Sequence, residues 1–267
     1  SGKRESHAVA DGNLVGVPGV RITLDGAPKP GDVVAIRTTP VAPLEYLIHE
    51  GMLLYPIALF IEAVMADEHD ELQADALRYL GLIRDNFVPK WDRCWVDAPE
   101  GRGAYTATDS PAERTPGRLL PHNQYAMHAQ AYAVLDPYLP DLALAGRAEQ
   151  MARNFRANVR AVGDAYAWNY WDWDGGHSGA EDSSHAAINV GLVVEGAQRG
   201  VVFDASDASR IARTLLDVMW NGSLTEPNVG DRVDTADGDT YFTLRRWAEL
   251  AAYDPTVWDV CLAVFRA

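Results

Sequence analysis

The chain has 267 residues and a formal net charge of −15, and 48% of its residues are hydrophobic, as in a globular protein with a sizeable core. This net negative charge argues against binding of nucleic acid or of an anionic membrane to the protein surface in general. Only three of the 23 basic residues are lysines, a balance typical of a GC-rich genome or of salt adaptation. We also expect no membrane-spanning segment, because no apolar run reaches the ~18 residues that a span needs.

Cysteine usage and the first residues say little about the compartment. Cys94 and Cys261 lie far apart and in no metal-binding spacing, so we interpret both as packed or free thiols. No basic start followed by an apolar core is present, so the sequence shows no secretory signal.

Residues 1–43 are predicted to form an irregular N-terminal domain. They are rich in glycine, proline and β-branched residues and have no helical periodicity. The stretches 20–26 and 32–38 are candidates for the two short strands of a hairpin. From residue 44 onward the pattern becomes helical, so 44–267 is predicted to be one all-α domain.

This second domain repeats a loose unit of helix, short turn, second helix and tryptophan. From a first-helix histidine to the closing tryptophan the spacing is 42, 40 and 35 residues in three successive units (His49 to Trp91, His128 to Trp168, His185 to Trp220). A fourth unit begins near Thr240. The first helix of each unit is apolar nearly all round and the second is amphipathic, which predicts inner and outer helices.

Inner and outer helices of this kind are typical of an (α/α) toroid. A plain stack of helical hairpins has the same periodicity. Polar and aromatic residues gather where the inner helices start, and the long loops fall at the same end, so we expect a cleft there. Four hairpins are few for a closed ring, so the predicted fold is a toroid or an incomplete toroid.

The motif GAEDSSHAAINV, residues 179–190, carries the strongest local signal. Asp182 or Ser183 can cap the helix that follows, and acidic residues favour a helix start. Capping alone does not explain Glu181, Asp182 and His185 together. A bulky polar group in the first turn of an inner helix needs a partner, so His185 is predicted to have a functional role.

A metal site is the alternative at the same place. His177, Glu181 and His185 are spaced by four residues, which would align them on a helix. Gly175, Gly176 and Gly179 make a continuous helix there improbable. We therefore predict no metal and no cofactor.

The motif LLPHNQYAMHAQAY begins the second inner helix. Asn123 can cap this helix, with the aromatic residues in the core. His122, Asn123, Gln124 and Tyr125 nevertheless exceed what a cap requires. These four residues are therefore candidates for binding a substrate.

The first inner helix, in EYLIHEGMLLYPIALF, carries His49, which is as consistent with a core histidine as with a site residue. Pro56 is expected to kink or restart this helix. Before the fourth helix, Arg232 and Arg245 bring positive charge to the cleft end, where arginine can grip a carboxylate with two hydrogen bonds. Ion pairing with nearby aspartates is the alternative, which we favour for Arg245. No glycine-rich phosphate loop and no Gly-x-Ser-x-Gly elbow is present.

Five motifs, in this order, resemble those of the (α/α)-toroid polysaccharide lyases that cleave uronic-acid polymers such as glucuronan and alginate. They are HEGMLLYPIALF, PHNQYAMHAQAY, WNYWDWDGG, EDSSHAAINVG and TLLDVMW, and they cover about residues 44–250. The chain has fewer helices than such lyases usually have. The resemblance implies cleavage by β-elimination, an anionic polysaccharide as partner, and a secreted or periplasmic location. It is compatible with a homo-oligomer that closes the ring.

The resemblance also implies roles for four residues. His185 would be the base that removes the C5 proton of the uronate, and Tyr241 the acid that protonates the leaving oxygen at C4. Arg232 and Glu181 would hold the substrate carboxylate and the base.

Further residues are implied in binding the sugar. Asn123 and Gln124 would cover the carboxylate, and Trp171 and Trp173 would stack on sugar rings. His122, Tyr125, His49 and Arg245 complete the predicted substrate-binding set.

Three other functions remain open. A glycoside hydrolase on the same fold would use two carboxylates, from Asp172, Asp174, Glu181 and Asp182. A uronate epimerase would share the proton abstraction without cleaving the chain. A non-catalytic carbohydrate-binding protein is the third alternative.

Overall fold

The computed structural model describes residues 9–10, 13–14, 45–66, 70–110, 113–238 and 244–267. The chain divides into two compact units, Ser1–Val41 and Ala42–Ala267. In the first unit, β1 (Val9–Ala10) pairs antiparallel with β2 (Asn13–Leu14). The strands predicted at 20–26 and 32–38 lie outside the described residues.

The second unit is mostly helical, which confirms the predicted helix-rich class. The α-helices are α1 (Leu47–Ala66), α2 (Asp70–Leu82), α3 (Val88–Asp92), α4 (His122–Leu135), α5 (Leu144–Ala157), α6 (Ser183–Arg199), α7 (Ala205–Arg213) and α8 (Thr256–Arg266). π-Helical turns at Ile83–Phe87 and Thr214–Met219 extend α2 and α7, and 3₁₀ turns occupy Asp136–Tyr138, Pro140–Leu142 and Trp247–Ala252. Antiparallel hairpins join β3 (Trp95–Ala98) to β4 (Arg102–Tyr105), β5 (Arg160–Val162) to β6 (Ala165–Ala167), and β7 (Asp172–Trp173) to β8 (Gly176–His177).

The helices of this unit form two layers. Helix α4 packs between α1 and α6, and 12 of its 14 residues are buried. Helices α2, α5 and α7 pack against α1, α4 and α6, respectively. The predicted pairing of helices is therefore present in the first three repeats. Helices α4 and α6 are mostly buried, as expected of inner helices, whereas α1 has seven of its 20 residues buried and exposes Met52 and Leu53.

Glycine sets the distance between α1 and α4. A Cβ atom at Gly51 would lie 2.7 Å from Met127 Cβ and 2.8 Å from His128 Nδ1. The His128 ring is buried at this crossing and packs edge-on against Tyr105 and Tyr132. Burial lowers the pKa of His128 to about 3, so this histidine is a neutral core residue.

A second glycine admits a charged side chain between the inner helices. A Cβ atom at Gly191 of α6 would lie 2.2 Å from Arg246 Nη2 and 2.7 Å from Gln130 Oε1. Arg246 Nη2 donates to Gln130 Oε1 on α4 at 3.0 Å, and the guanidinium lies 5.3 Å from the centre of the Tyr55 ring on α1. Arg246 thus contacts all three inner helices.

One of the two alternatives for Pro56, a restart of the helix, was wrong, and so was the expected fourth inner helix. Helix α1 runs unbroken from Leu47 to Ala66 with Pro56 inside it, so the proline does not restart the helix. Where the fourth inner helix was expected, the described residues form a turn and then the 3₁₀ helix Trp247–Ala252. Thr240, its expected start, lies outside the described residues.

Helix α1 also bears on the expectation that no segment is long enough for a membrane span. Among the described helices it is the one that is long and apolar enough to cross a membrane, judged by length and composition alone. Seven of its 20 residues are buried, including Leu54 and Ile61. The core helix of a soluble protein can have the same length and composition, so these two properties do not decide whether α1 contacts a membrane. The absence of a membrane partner therefore stays a prediction.

Cys94 is buried and Cys261 is half-buried, and both thiols are free, as predicted. Burial raises the pKa of each thiol, that of Cys261 to about 11.

Candidate functional site

The site is built on the first turn of α6. Asp182 is the N-cap residue, in an extended backbone conformation, and its Oδ1 atom accepts hydrogen bonds from the backbone N–H groups of Ser184 and His185, each at 3.0 Å. Such a cap satisfies donors that have no partner within the helix. The cap therefore fixes where α6 begins and puts His185 in its first turn.

The other oxygen of Asp182 holds the imidazole ring. His185 Nδ1 lies 2.5 Å from Asp182 Oδ2. Partial burial would raise the pKa of the Asp182 carboxyl, but the hydrogen bonds from His185 and Ser184 outweigh it and hold this pKa well below its ordinary value. The ionised carboxylate can only accept, so Nδ1 carries the hydrogen atom. Nε2 is then the ring nitrogen that is available to a substrate.

His185 is accessible and more basic than an ordinary histidine. Its side chain is 43% exposed. The hydrogen bond with Asp182 raises the pKa of His185, although partial burial opposes the rise. The pair has the geometry of a histidine oriented by a carboxylate for proton transfer.

Glu181 lies beneath this pair and is fully buried. Its Oε2 atom accepts a hydrogen bond from Asn189 Nδ2 at 3.1 Å. Its Oε1 atom has no hydrogen-bond partner among the described residues and lies 4.0 Å from His185 Nδ1. Burial raises the pKa of Glu181 to about 9, and the charge of Asp182 adds to this. At neutral pH Glu181 therefore keeps its proton.

These three residues also form a possible metal-binding arrangement. One ligand atom each of Glu181, Asp182 and His185 lies within 4.8 Å of the others. An imidazole and two carboxylates suit zinc and similar ions. His177 is not among them, because it lies on β8 and is exposed. The helical alignment of His177 with Glu181 and His185 does not form, as the glycines predicted, and the absence of a metal requirement stays a prediction.

Arg232 lies beside the start of α6. Its backbone forms an antiparallel bridge with Asp182, and Val233 N–H donates to the carbonyl oxygen of Glu181 at 3.0 Å. The Arg232 side chain is 56% exposed, with Nε 3.7 Å from Asp234 Oδ1. The structure thus brings Arg232, predicted from a distant part of the sequence, next to the Asp182–His185 pair.

Three further predicted residues are Tyr241, Arg245 and His49. Tyr241 lies outside the described residues, so its relation to His185 stays a prediction. Arg245 is exposed in the turn before Trp247–Ala252. His49 is exposed in the first turn of α1, with its ring centre 5.2 Å from that of Tyr46.

A buried hydrogen-bond chain links α4 to residues 168–173, which we call the aromatic loop. Asn154 Nδ2 donates to the Tyr125 hydroxyl at 3.1 Å, and the Tyr125 hydroxyl lies 2.5 Å from His122 Nδ1. His122 Nε2 lies 2.8 Å from Asp172 Oδ2, whose other oxygen accepts from Asn169 Nδ2 at 2.9 Å. Because Asp172 is held ionised, with a lowered pKa, His122 donates to it and accepts from Tyr125.

Burial corrects the predicted substrate-binding role of three residues. His122, Asn123 and Tyr125 are 1%, 2% and 0% exposed, so as they are placed none of them reaches a ligand in solvent. His122 and Tyr125 position Asp172 and its loop instead. Asn123 is not the cap of α4, since the N-cap residue is Pro121, which has no side-chain cap.

A cleft lies where α1 and α4 begin. It has a volume of about 130 Å³ and is lined by Tyr46 and Leu47 from the start of α1, Gln124 from α4, and Tyr170 and Trp171 from the aromatic loop. This volume is below the ~300–1,000 Å³ typical of small-molecule sites, so a ligand bound there would stay partly in solvent. The starts of α1 and α4 therefore lie together at this cleft.

The cleft adjoins the Asp182–His185 pair through Tyr170. The centre of the Tyr170 ring lies 5.2 Å from that of His185. Trp171 is fixed by a hydrogen bond from Nε1 to the carbonyl oxygen of Leu119 at 2.6 Å, and its ring lies 4.8 Å from that of Trp173. Gln124, Trp171 and Trp173 are half-buried, so all three can meet a ligand.

In comparisons with protein-family models, curated proteins and solved structures, nothing matches the chain.

Sequence reasoning missed the partners of His185. Asp182 was seen as a cap or a hydrolase carboxylate, yet it also orients the imidazole. The available signal was an aspartate three residues before a histidine at a helix start, which places both on one turn. Tyr170 is not among the predicted site residues. It lies between Trp168 and Trp171, and no periodic pattern distinguishes it from its aromatic neighbours.

Proposed function

We propose that the chain is a polysaccharide lyase that cleaves a uronic-acid-containing polymer, of glucuronan or alginate type, by β-elimination. The observation that carries the proposal is the Asp182–His185 pair on the edge of an aromatic cleft, with Arg232 beside it. An oriented histidine, an exposed arginine whose backbone pairs with that of Asp182, and aromatic rings are groups that proton abstraction from an anionic sugar can use.

The reaction begins at C5 of the uronate. His185 Nε2 accepts the C5 proton, and Asp182 stabilises the imidazolium that forms. The electron pair of the C–H bond becomes the C4–C5 double bond, and the C4–O bond breaks. The leaving oxygen takes a proton, a role that the resemblance gives to Tyr241.

The substrate carboxylate must be offset before the carbanion can form beside it. The exposed Arg232 side chain is the group proposed to pair with it. Glu181 is fully buried, so it cannot bind the substrate directly. Its proposed role is to pack against the Asp182–His185 pair on the buried side. Because Glu181 is neutral, it adds no negative charge next to the developing carbanion.

The proposed architecture is an open arc of an (α/α) toroid. The ordered packing of α1, α4 and α6, each backed by an outer helix, supports this arrangement. The cleft at the start of α1 and α4 corresponds to the binding end of such an arc.

An absorbance screen against a panel of uronic-acid polysaccharides tests the proposal. A lyase product contains a double bond conjugated with the carboxylate, which absorbs in the ultraviolet, whereas hydrolysis yields no such product. His185→Ala should lower turnover ~10²–10⁴-fold, the usual contribution of an acid–base group. Since the pKa of His185 is raised, activity should increase with pH through a value above that of an ordinary histidine.

His177→Ala is the matched control, because His177 is an exposed histidine on the neighbouring β8 and should leave turnover unchanged. A chelator should not reduce activity. Loss of turnover that one divalent ion restores would instead assign Glu181, Asp182 and His185 to a metal. Chain cleavage without the absorbing product would indicate a hydrolase.

A further inference from the structure

Glu181, Asp182 and His185 each place one ligand atom at the start of α6, where the three atoms together suit a divalent cation. These atoms lie within 4.8 Å of one another, the only such group of three in the part of the chain that the structure describes. His185 Nδ1 lies 2.5 Å from Asp182 Oδ2 and 4.0 Å from Glu181 Oε1. A tetrahedral zinc ion with bonds of ~2.0–2.1 Å holds its ligand atoms about 3.3 Å apart. Each of the two distances therefore needs to change by less than about 1 Å.

Glu181 supplies the observation that points to a ligand. Its side chain is 0% exposed, and Asn189 Nδ2 donates a hydrogen bond to its Oε2 atom. Its Oε1 atom, which lies on the side of His185 Nδ1, has no hydrogen-bond partner among the described residues. Buried polar atoms in folded proteins nearly always have a partner, because an unpaired one costs free energy. A cation bonded to Oε1 would give this oxygen a partner.

Asp182 and His185 leave the position open to an ion from solvent. Asp182 Oδ1 caps α6, so Oδ2 is the oxygen that can bond a cation. The side chains of Asp182 and His185 are 42% and 43% exposed, so an ion can enter and keep a water molecule as its fourth ligand. The N-terminus of α6 repels a cation. The two carboxylates offset this repulsion, because together they balance the charge of a divalent ion.

We infer that zinc or a similar transition-metal ion binds Glu181, Asp182 and His185 and thereby stops His185 from acting as the base. A neutral imidazole has one hydrogen atom and one free lone pair on its two ring nitrogens. Without the ion, Nδ1 carries the hydrogen atom and Nε2 can accept the C5 proton. An ion bonded to Nδ1 takes the lone pair of that nitrogen. The hydrogen atom is then on Nε2, which can no longer accept a proton.

Protons and charges balance in this step. The ring hydrogen atom of His185 moves from Nδ1 to Nε2 by exchange with water, and Glu181 releases its proton to solvent. The bound ion and the two carboxylates together carry no net charge. The site itself does not depend on the proposed function, whereas its inhibitory effect rests on the lyase mechanism. The ion is therefore an inhibitor and not a requirement.

Calorimetric titration of the chelator-treated full chain with Zn²⁺ tests the site. We expect one Zn²⁺ to bind here, and Glu181→Gln to weaken this binding at least ~10-fold, since changes beside metal ligands already cost ~10–100-fold. Glutamine keeps the shape of a protonated glutamate but supplies no anionic ligand. His177→Ala, at an exposed histidine on β8, is the matched control and should bind Zn²⁺ as the wild type does. Equal affinities of Glu181→Gln and the wild type would refute the site. Thermal melting checks that each variant is folded, and His185→Ala replaces Glu181→Gln if the latter is not.

Two further measurements test the inhibition. Isotope-edited NMR of the His185 ring should find the hydrogen atom on Nδ1 without metal and on Nε2 with Zn²⁺. A hydrogen atom that stays on Nδ1 would overturn the inference. Zn²⁺ should also lower kcat/KM on a uronic-acid polymer over the concentrations at which it binds, and a chelator should restore it.

The outcomes separate this inference from the proposed function. Unchanged kcat/KM with the site saturated would overturn the inference and leave the lyase proposal intact. Activity that needs Zn²⁺ would overturn both the inhibition and the metal-free mechanism. If no polymer yields the unsaturated product, the lyase proposal is wrong. Calorimetry and NMR then still decide whether the ion binds and moves the ring hydrogen atom.

Discussion

Glu181 and Asp182 are neighbours in the chain but hold opposite protonation states at neutral pH. Asp182 is ionised, because hydrogen bonds from His185 and Ser184 outweigh its partial burial. Glu181 is buried with one oxygen unpaired, and its pKa is raised to about 9. One ionised and one protonated carboxyl give an oriented histidine without placing two charges beside it.

This difference predicts how stability depends on pH. The folded state binds the Glu181 proton more tightly than the unfolded state, so this residue's contribution to stability falls as pH rises from 4.5 to about 9. Glu181→Gln cannot ionise. Its free energy of unfolding relative to the wild type should therefore rise by up to about 1.4 kcal/mol per pH unit over that range.

Urea unfolding at pH 5, 6, 7 and 8 measures this effect, with the exposed Glu226→Gln as control. Parallel stability curves for the wild type and Glu181→Gln would show that Glu181 is ionised in the folded protein.

At this scale the sequence identified Glu181, Asp182 and His185 as a group but not their pairing. Which carboxylate meets the imidazole depends on where α6 starts, and the cap at Asp182 decides that. Burial of His122 and Tyr125 was equally unpredictable, because it depends on Asn154 and Asp172 from distant elements.

The inner helices depend on small residues at their crossings. Gly191 of α6 leaves room for Arg246, whose guanidinium contacts Gln130 on α4 and the Tyr55 ring on α1. Tyr55 in turn donates a hydrogen bond to Glu195 Oε2 of α6 at 2.5 Å. A change at Gly191 therefore affects contacts of all three inner helices.

Gly191→Ala should destabilise the protein by about 1–3 kcal/mol, the usual cost of inserting a methyl group into a packed interior. The new Cβ atom would lie 2.2 Å from Arg246 Nη2, with Gln130 Oε1 at 2.7 Å limiting how far the arginine can move away. Gly146→Ala is the control, since this exposed glycine of α5 has nothing within 4 Å of its added Cβ. It should stabilise the protein by up to about 1 kcal/mol. Equal melting temperatures for Gly191→Ala and the wild type would contradict the crowding of Arg246.

Helix periodicity predicted α1, α4 and α6 and the helices that follow them, because each long helix repeats one apolar pattern over several turns. The short hairpins β5–β6 and β7–β8 carry no such repeat, so the helical periodicity does not predict them. The fourth unit was predicted to begin with an α-helix, whereas Trp247–Ala252 is a 3₁₀ helix. The two helix types differ in the spacing of their backbone hydrogen bonds, which the residue composition does not reveal.

The molecule as a whole is acidic, and its proposed substrate is a polyanion. With a net charge of −15, the protein should repel such a polymer at long range, whatever attraction Arg232 provides locally. The resemblance predicts Arg232 and His185 in one site, but no local pattern predicts the backbone bridge between Arg232 and Asp182, because about 50 residues of chain separate them.

The KM for an anionic polymer should therefore fall as salt rises from 0.01 to 0.15 M, since the screening length shrinks from about 30 to about 8 Å. Initial rates over this range measure the effect, with thermal melting at each salt concentration as control for stability. A KM that rises steadily with salt would mean that attraction at the site outweighs the overall repulsion.

Alkylation of the two free cysteines provides a way to measure local opening of the protein. Thiols react as thiolates, and burial raises the pKa of both Cys94 and Cys261. Both thiols should therefore react slowly with alkylating reagents, and opening of the surroundings should speed the reaction. Cys94 immediately precedes β3 and Cys261 lies on α8. The alkylation rates of the two thiols therefore measure local opening separately in these two parts of the protein. They would report which part loosens first without any substrate being known.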